Sequence, residues 1–197
     1  MIIDALEKNI QIKIVYFGPA LSGKNSSMKA LFNHFGKKNQ ICSIESTINR
    51  TLFFDYGNFE FRNNLWNLKL HLYSTTGQDF YIVTRPITLR AVDGLIFVAD
   101  AQKSAYERNV ISWNELKSYF EEAFVNVPKI IAFNKQDLPN KFSPAVFLKE
   151  IHYDEYENID TKYTIALNGE GILESFEGIL RLIFKDLFKI EMPSIVY

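Results

Sequence analysis

Two short stretches of the sequence place glycine, lysine, amide and carboxylate side chains at spacings that support a specific chemistry. The first runs from Gly18 to Asn25 and reads G-P-A-L-S-G-K-N, which matches the G-x-x-x-x-G-K part of a phosphate-binding P-loop. In such a loop, backbone N–H groups and the start of a helix converge on phosphate oxygens, and glycine lets the backbone approach them closely. Lys24 adds a full charge toward the same oxygens. This stretch therefore predicts a phosphate site.

The last position of this stretch departs from the P-loop pattern. Asn25 stands where the pattern has a Ser or Thr hydroxyl that binds Mg²⁺. The amide oxygen of Asn is a hard ligand that can still reach a metal, but the side chain is longer and its NH₂ group needs an acceptor nearby. We therefore expect a metal ion to be held weakly at this loop.

The second stretch is Asn134-Lys135-Gln136-Asp137, which follows an apolar run and matches the N-K-x-D pattern of guanine-nucleotide-binding proteins. The carboxylate of Asp137 can accept hydrogen bonds from the ring N–H and the exocyclic amine of guanine, whereas adenine offers no such donor pair. A base that leaves this carboxylate unpaired is rejected by a large factor. We expect Asn134 to brace the loop and the Lys135 stem to lie along the purine. An ordinary surface turn is the alternative, and the upstream P-loop disfavours it.

The elements that must position these motifs alternate between apolar strand-like runs and segments of helical period. Strands alternating with helices of this length imply right-handed βαβ units and a mostly parallel sheet covered on both faces. Ligands then bind beyond the carboxyl ends of the strands, where the P-loop also falls. The strand-like runs are 12–17, 94–99, 129–133 and 163–166, and the helical segments are 28–35, 106–124 and 172–187.

The remaining segments are predicted from strand propensity and turn residues. Residues 51–56 and 66–73 read as two strands joined through a turn at Gly57-Asn58, which gives an antiparallel pair at one sheet edge. Residues 37–50 have no sustained period and predict a loop about 14 residues long. Residues 1–10 fit either a helix or an extra edge strand. The predicted fold class is a three-layer α/β fold with a mostly parallel six-stranded sheet and an antiparallel edge strand.

Composition limits the classes of partner and the compartment. With 47% apolar residues among 197, we expect one domain over 1–197, with an N-terminal extension at 1–10 and a C-terminal tail at 190–197. The 22 basic and 23 acidic side chains give no general attraction to nucleic acid, so no nucleic-acid partner is expected. Cys42 is the only cysteine, which favours a cytoplasmic, reducing compartment. Neither an apolar span nor a lipidation signal is present, so we expect no direct membrane anchor.

With both motifs in place, the sequence resembles the small GTPase superfamily, and more closely the MglA family of bacterial cell-polarity and gliding-motility GTPases. The resemblance covers nearly the whole chain, from Lys13 to the C-terminal helix. It implies the P-loop GTPase fold and a switch that binds GTP or GDP together with Mg²⁺. The segments that carry it are 13–19, 50–55, 71–73, 77–78, 92–100 and 134–139.

The resemblance implies roles for residues that no local motif assigns. Gln78, directly after Gly77, matches the Gln that orients the hydrolytic water. Arg50 matches the Arg that MglA-type proteins use as an internal arginine finger. Thr51 matches the switch Thr that reaches Mg²⁺ when the γ-phosphate is present. The expected catalytic residues are therefore Gln78 and Arg50, and the expected metal ligands are Asn25 and Thr51; a solvated Gln and a surface Arg are the alternatives.

The guanine loop closes the predicted site. The segment Ala166-Leu167-Asn168 resembles the last guanine loop of the family, where the N–H of Ala166 meets the base oxygen. The predicted nucleotide-binding residues are Gly18, Pro19, Ala20, Leu21, Ser22, Gly23, Lys24, Asn25, Ser26, Asn134, Lys135, Asp137, Ala166 and Leu167.

Three departures from the family bear on activity. Residues 74–77 read S-T-T-G where small GTPases have D-x-x-G, and MglA-type proteins also lack this Asp. Ala20 stands where MglA-type loops usually have Gly, so its methyl group crowds the γ-phosphate. Asn25 together with the neutral Ser74 weakens the Mg²⁺ clamp, which should cost the GTP state more than the GDP state. The sequence thus predicts an MglA-type switch with slow hydrolysis and a bias toward GDP.

Two other functions and one partner follow from the same residues. A hydrolysis-deficient scaffold that keeps its guanine nucleotide as a structural ligand is the main alternative, whereas a P-loop kinase or transferase is disfavoured by residues 134–137. The resemblance implies a roadblock-fold activator that docks on residues 50–56 and 78–90 and aligns the internal Arg and Gln. Its expected apolar contacts are Phe53, Phe54, Phe80 and Tyr81.

Overall fold

The computed structural model describes residues 1–37, 40–46, 50–75 and 84–185, with the backbone alone for 43–46 and 50–54. Eight strands and five α-helices occur within these residues. The strands are β1 (Ile2–Asp4), β2 (Asn9–Phe17), β3 (Cys42–Ser46), β4 (Arg50–Arg62), β5 (Asn67–Thr75), β6 (Gly94–Asp100), β7 (Lys129–Asn134) and β8 (Ile159–Tyr163). The helices are α1 (Lys24–His34), α2 (Arg85–Leu89), α3 (Tyr106–Phe120), α4 (Pro144–Glu150) and α5 (Ile172–Phe184).

The strands form one sheet in the order β3-β4-β5-β2-β6-β7-β8, with β1 paired to β2. The central strands β5, β2, β6, β7 and β8 run parallel, and β4 pairs antiparallel with both β5 and β3. The carboxyl ends of β2, β6 and β7 therefore meet at one edge of the sheet. The mostly parallel α/β fold with an antiparallel edge is confirmed, although eight strands replace the six expected.

Both faces of the sheet are covered, which gives three layers. On one face, the buried side chains of β2 and β5 pack with those of α1 and α5, and the rings of Phe32 and Phe59 stack with centroids 4.1 Å apart. On the other face, α3 and α4 pack on β6 and β7, with Trp113 edge-on to Phe97 at 5.1 Å. None of the described helices combines the length and apolar character needed to cross a membrane.

Strand pairing decides one open alternative and corrects two local expectations. Over residues 1–10 the strand alternative holds, because Ile2–Asp4 pair antiparallel with the start of β2. The loop expected over 37–50 instead contains β3, which pairs with the outer edge of the long β4 and satisfies its backbone groups. The last strand is Ile159–Tyr163 rather than 163–166. It is a half-buried edge strand that contains polar residues, so a search for apolar runs does not detect it.

Gly57 was expected in a turn and instead lies inside β4. A Cβ atom at this position would lie 2.3 Å from the ring of Phe32, so the residue is Gly because that ring packs directly against the strand. The turn between β4 and β5 comes later, where Asn63 Oδ1 accepts hydrogen bonds from the backbone N–H groups of Leu65 and Trp66.

Lys129, the first residue of β7, is completely buried. Its Nζ lies 4.7 Å and 4.6 Å from the ring centroids of Phe124 and Tyr156, and it donates a long hydrogen bond of 3.4 Å to the carbonyl of Val125. Burial lowers the pKa of Lys129 to about 7. In the folded protein, Lys129 therefore loses its charge at a pH well below the one at which an exposed lysine does.

We expect Lys129→Met to stabilise the protein at pH 6 and to lose most of that advantage at pH 10. The unfolded lysine keeps a pKa near 10.4, so the unfolded state binds more protons and wild-type stability rises with pH between about 7 and 10. The gain at low pH should be on the order of a few kcal/mol. Urea unfolding at several pH values measures it, with the exposed Lys149→Met as the matched control. A constant difference across pH would contradict the prediction.

Candidate nucleotide site

The P-loop connects β2 to α1 and depends on two glycines with positive φ angles. Gly18 has φ of 143°, and a Cβ atom there would lie 2.3 Å from the carbonyl oxygen of Val98 in β6. Gly23 has φ of 105°, and a Cβ atom there would lie 2.1 Å from Nδ2 of Asn134. The loop therefore has its shape because two neighbouring strand ends press against it, and only glycine leaves the necessary space.

Lys24 crosses this loop from its end back to its beginning. Its Nζ donates hydrogen bonds to the carbonyls of Gly18 at 2.8 Å and Pro19 at 2.7 Å. The pKa of Lys24 is lowered to about 7, chiefly by burial and also by the positive charge of Arg85, while the carboxylate of Glu115 acts in the opposite direction. A cation enclosed this way, beside glycine N–H groups, is suited to pair with phosphate oxygens.

Asn134, the last residue of β7, ties the P-loop to the loop that follows β8. Its Nδ2 donates to the carbonyl of Ser22 at 2.8 Å. Its Oδ1 accepts from the backbone N–H of Ala166 at 2.9 Å and from the hydroxyl of Thr164 at 3.2 Å. The side chain is buried, with 2% exposure. One amide group thus fixes the spacing between the predicted phosphate loop and the predicted guanine loop.

We expect Asn134→Ala to weaken GDP binding by at least tenfold. The substitution leaves the carbonyl of Ser22 and the N–H of Ala166 without their buried partner, and each lost partner costs about 1–3 kcal/mol. Isothermal titration with GDP measures the effect. Asn158→Ala is the matched control, because the Asn158 side chain donates to the carbonyl of Asn126, at 3.3 Å, and not to a predicted nucleotide loop among the described residues. Equal GDP affinities in the wild type and Asn134→Ala would contradict this prediction.

The next residues of the same turn present a lysine and a carboxylate. Lys135 has φ of 67°, and its Nζ pairs with Oδ2 of Asp100 at 2.7 Å. The other carboxylate oxygen of Asp100 accepts from the backbone N–H of Gln102 at 3.1 Å, so Lys135 is held by a fixed partner. The side chain of Asp137 is exposed, at the carboxyl end of β7. Its carboxylate can therefore meet the donors of a guanine ring.

A cavity of about 510 Å³ lies between α1 and the loop after β8. Three predicted nucleotide-binding residues line it, namely Ser26, Ala166 and Leu167. It also reaches Lys29 on α1 and Asn168, the last residue of the guanine loop. The last guanine loop therefore borders an open space, whereas Asn134, Lys135 and Asp137 do not line it.

Asn25, one of the two predicted metal ligands, forms a direct hydrogen bond with a second neutral side chain, Ser74. The hydroxyl of Ser74 donates a hydrogen bond to Oδ1 of Asn25 at 2.6 Å, so the expected ligand oxygen already accepts one hydrogen bond. Asp55 lies opposite Ser74 in the β4–β5 ladder and is buried, which places its carboxylate on the same face of the sheet. Within the described ranges, no three His, Cys, Asp or Glu residues are grouped to hold a metal. The oxygen-only donors fit Mg²⁺, with Asn25 and Asp55 as the residues that would hold it.

The expected catalytic and partner-binding residues are only partly described. Arg50 and Thr51 are the first residues of β4, where their backbones pair with Ser46 and Glu45 of β3. Gln78 lies outside the described residues. Phe53 and Phe54 are described by backbone alone, and Phe80 and Tyr81 lie outside the described ranges. The roles of these residues stay predictions.

Sequence reasoning missed Asp100 and Thr164, which hold the lysine and the asparagine of the N-K-x-D turn. Asp100 ends the fully buried strand β6. Thr164 directly follows β8. A polar residue at the carboxyl end of a parallel strand was the available signal, because ligands bind at that edge.

The fold and this site define a P-loop protein of the small GTPase class. Residues 1–183 match the model of the ADP-ribosylation factor family, and the chain belongs to that family of small GTPases. It is similar to Mutual gliding-motility protein MglA of Myxococcus xanthus (strain DK1622), with 31% identity over 195 residues, which cover 95% of this chain and 97% of that protein. It is also 30% identical over 186 residues to Ras-related protein Rab-5B of Plasmodium falciparum (isolate 3D7), covering 90% and 82%.

Family membership confirms the resemblance predicted from the motifs. The chain is a GTP-binding small GTPase with an MglA-like sequence. In general, the family binds guanine nucleotide with Mg²⁺ and hydrolyses GTP.

Proposed function

We propose that the protein is a cytoplasmic guanine-nucleotide switch of MglA type that favours GDP and hydrolyses GTP slowly. The observation that carries the proposal is the 2.6 Å hydrogen bond from the Ser74 hydroxyl to the Asn25 amide oxygen. Both side chains are neutral, and they occupy positions where small GTPases hold Mg²⁺ with a loop hydroxyl and a carboxylate. The pair of residues therefore supplies no negative charge at this position.

A bound Mg²⁺ would meet two neutral side chains, Asn25 and Ser74, at this position. Oδ1 of Asn25 would share its two lone pairs between the ion and the Ser74 hydroxyl, and neither of these side chains offers the ion a negative charge. In the GTP state Asn25 would help to hold Mg²⁺, and the ion would supply positive charge that orders the switch segments. A weaker ligand thus lowers the affinity for GTP more than the affinity for GDP, since only their difference shifts the equilibrium.

We expect Asn25→Thr to strengthen GTP binding in Mg²⁺ by about tenfold while changing GDP binding less. The threonine hydroxyl can share the ion with the γ-phosphate, and a γ-phosphate held in register should also raise the hydrolysis rate. Titrations of both nucleotides, with Mg²⁺ and with EDTA, measure the change. Asn114→Thr is the matched control, since Asn114 is exposed on α3.

One result would overturn the proposed GDP preference. If the wild-type protein already binds GTP much more tightly in Mg²⁺ than in EDTA, then Asn25 is an adequate ligand or another acidic side chain supplies the charge. Asp55 is the structural candidate, because its carboxylate lies across the ladder from Ser74. Asp55→Asn would then abolish that Mg²⁺ dependence.

A hydrolysis-deficient scaffold is the second candidate, and the neutral Asn25–Ser74 pair also favours it. The two candidates differ in one measurement. A switch releases phosphate from bound GTP in a single turnover, whereas a scaffold leaves GTP intact. Phosphate release combined with chromatography of the bound nucleotide separates them.

We further propose that a roadblock-fold activator binds the segments 50–56 and 78–90 and aligns Arg50 with Gln78. The similarity to MglA supports this proposal, because the family resemblance includes the segment from Arg50 to Asp55. The activator then needs to supply no arginine of its own.

A further inference from the structure

Asn109, near the beginning of α3, is a completely buried polar side chain. Its Oδ1 accepts a hydrogen bond from the backbone N–H of Asp100 at 3.1 Å, and its Nδ2 donates to the backbone carbonyl of the same residue at 2.8 Å. The two halves of the amide thus meet one donor and one acceptor of a single residue. Asn109 therefore pairs with Asp100 as a residue of a neighbouring strand does.

This pairing lies where β6 has lost one of its two neighbouring strands. The ladder between β2 and β6 ends at Phe97, where β2 gives way to the P-loop. On the opposite side of β6, the N–H of Ala101 donates to the carbonyl of Asn134 in β7 at 3.0 Å. Backbone groups of successive residues point to opposite sides of a strand, so those of Asp100 point to the side that β2 has left. Removing the Asn109 amide would take a buried partner from both groups.

The carboxylate of Asp100 connects this contact to the N-K-x-D turn. Its Oδ2 pairs with Nζ of Lys135 at 2.7 Å, and the two side chains are only 4% and 26% exposed. A lysine side chain can adopt many rotamers, and an anion fixed at its end selects among them. The position of the Asp100 backbone therefore determines where the stem of Lys135 lies.

We propose that Asn109 is a positioning residue for the guanine site. By fixing the backbone of Asp100, it lets the Asp100 carboxylate hold the ammonium group of Lys135, and the stem of that lysine is then aligned with the purine. This role rests on guanine-nucleotide binding by the family and on the predicted contact of Lys135 with the base. It is independent of the proposed GDP preference.

A double-mutant cycle on the full-length protein tests the role of Asn109, with GDP affinity measured by titration calorimetry. We expect Asn109→Ala to weaken GDP binding by about tenfold. Lys135→Met keeps an unbranched stem and removes the ammonium group. In that background, Asn109→Ala should change GDP affinity by less than about twofold, because the link to the base is already broken. Asn114→Ala, exposed on the same helix, should change GDP affinity in neither background.

Urea unfolding without nucleotide measures any purely structural contribution of Asn109. Asn109→Ala should lower the free energy of unfolding with and without the Lys135 ammonium group, whereas its effect on GDP binding should require that group. An equal loss of GDP affinity in both backgrounds would overturn the proposal. An unchanged GDP affinity of Lys135→Met would overturn it as well. Neither result bears on the GDP preference, which the comparison of GTP and GDP in Mg²⁺ and EDTA decides.

Asn109→Asp covers the case in which Asn109→Ala does not fold, because it preserves the shape of the side chain. While the new carboxyl group is protonated, as burial favours, it can make both hydrogen bonds to Asp100, and ionisation removes the donor. GDP affinity relative to the wild type should therefore be unchanged at low pH and should fall as the pH rises. Lys135→Met should abolish this fall. A fall of equal size without the ammonium group would contradict the positioning role.

Discussion

Replacing Asp137 by Asn should weaken GDP binding by well over a hundredfold and shift the base preference toward xanthine. The carboxylate accepts from two donors of guanine, and the amide keeps only one suitable acceptor while it adds an NH₂ group that faces the guanine amine. Xanthine carries a carbonyl at that ring position, so the new NH₂ group can donate to it. Losing a hydrogen-bonded charge in a polar site costs about 3 kcal/mol or more.

The structure supports this expectation through the backbone that presents the carboxylate. The positive φ of Lys135 turns the chain at the end of β7, and the N–H of Gln136 donates to the carbonyl of Thr164 at 3.2 Å. Asp137 is therefore exposed on a turn that two strands hold in place. The loss should appear as a change of base preference rather than as unfolding.

Titrations with GDP, XDP and ADP measure the prediction. Asp154→Asn is the matched control, because Asp154 is exposed and lies away from the guanine loop. Wild-type protein should bind GDP more than a hundredfold tighter than ADP. Equal affinities for these two nucleotides would show that Asp137 does not read the base.

Replacing Arg50 by Ala should remove most of the hydrolysis that the proposed activator stimulates. In GTPases that use an arginine finger, the finger raises the hydrolysis rate by a factor of roughly 10³–10⁵. Its positive charge stabilises the transition state more than the bound substrate. If the finger is internal, its loss cannot be replaced by the activator. The stimulated rate of Arg50→Ala should then approach the rate without the activator.

The position of Arg50 in the sheet supports an internal finger. The ladder between β4 and β5 ends at the pair Phe54–Thr75, so Arg50 lies beyond the carboxyl end of β5. Strand β5 runs parallel to β2, whose carboxyl end leads into the P-loop. The backbone of Arg50 is therefore at the nucleotide end of the sheet.

Single-turnover hydrolysis with and without the activator provides the measurement. Arg62→Ala is a close control, because Arg62 ends the same strand at the opposite end of the sheet and pairs only with Glu60 among described residues. If Arg50→Ala kept the full stimulation, the activator would supply the positive charge itself and the internal-finger interpretation would be wrong.

The parallel centre of the sheet could be predicted because β6 and β7 are buried at every residue and read as continuous apolar runs. The edges could not be predicted in the same way. Strand β3 forms because the outer side of β4 needs partners, and Gly57 is fixed by the ring of Phe32, so neither signal lies in the local sequence.

The two ends of the candidate site were predictable from short motifs, since each motif contains within a few residues the side chains or glycines that its chemistry needs. The contacts that join these motifs were not. The hydrogen bond from Asn134 to Ser22 spans 112 positions, and the one from Ser74 to Asn25 spans 49. No local pattern records a pairing over such distances, so its detection requires the folded chain.

The 2.1 Å separation between Nδ2 of Asn134 and a Cβ atom built at Gly23 has a consequence for redesign. Any side chain at Gly23 would push against the amide that also positions Ala166. A substitution at Gly23 that was made to improve phosphate binding would therefore also lower the selectivity for the base. An engineer who wants a new base specificity in this scaffold has to vary the two loops together, because neither can be exchanged as an independent module.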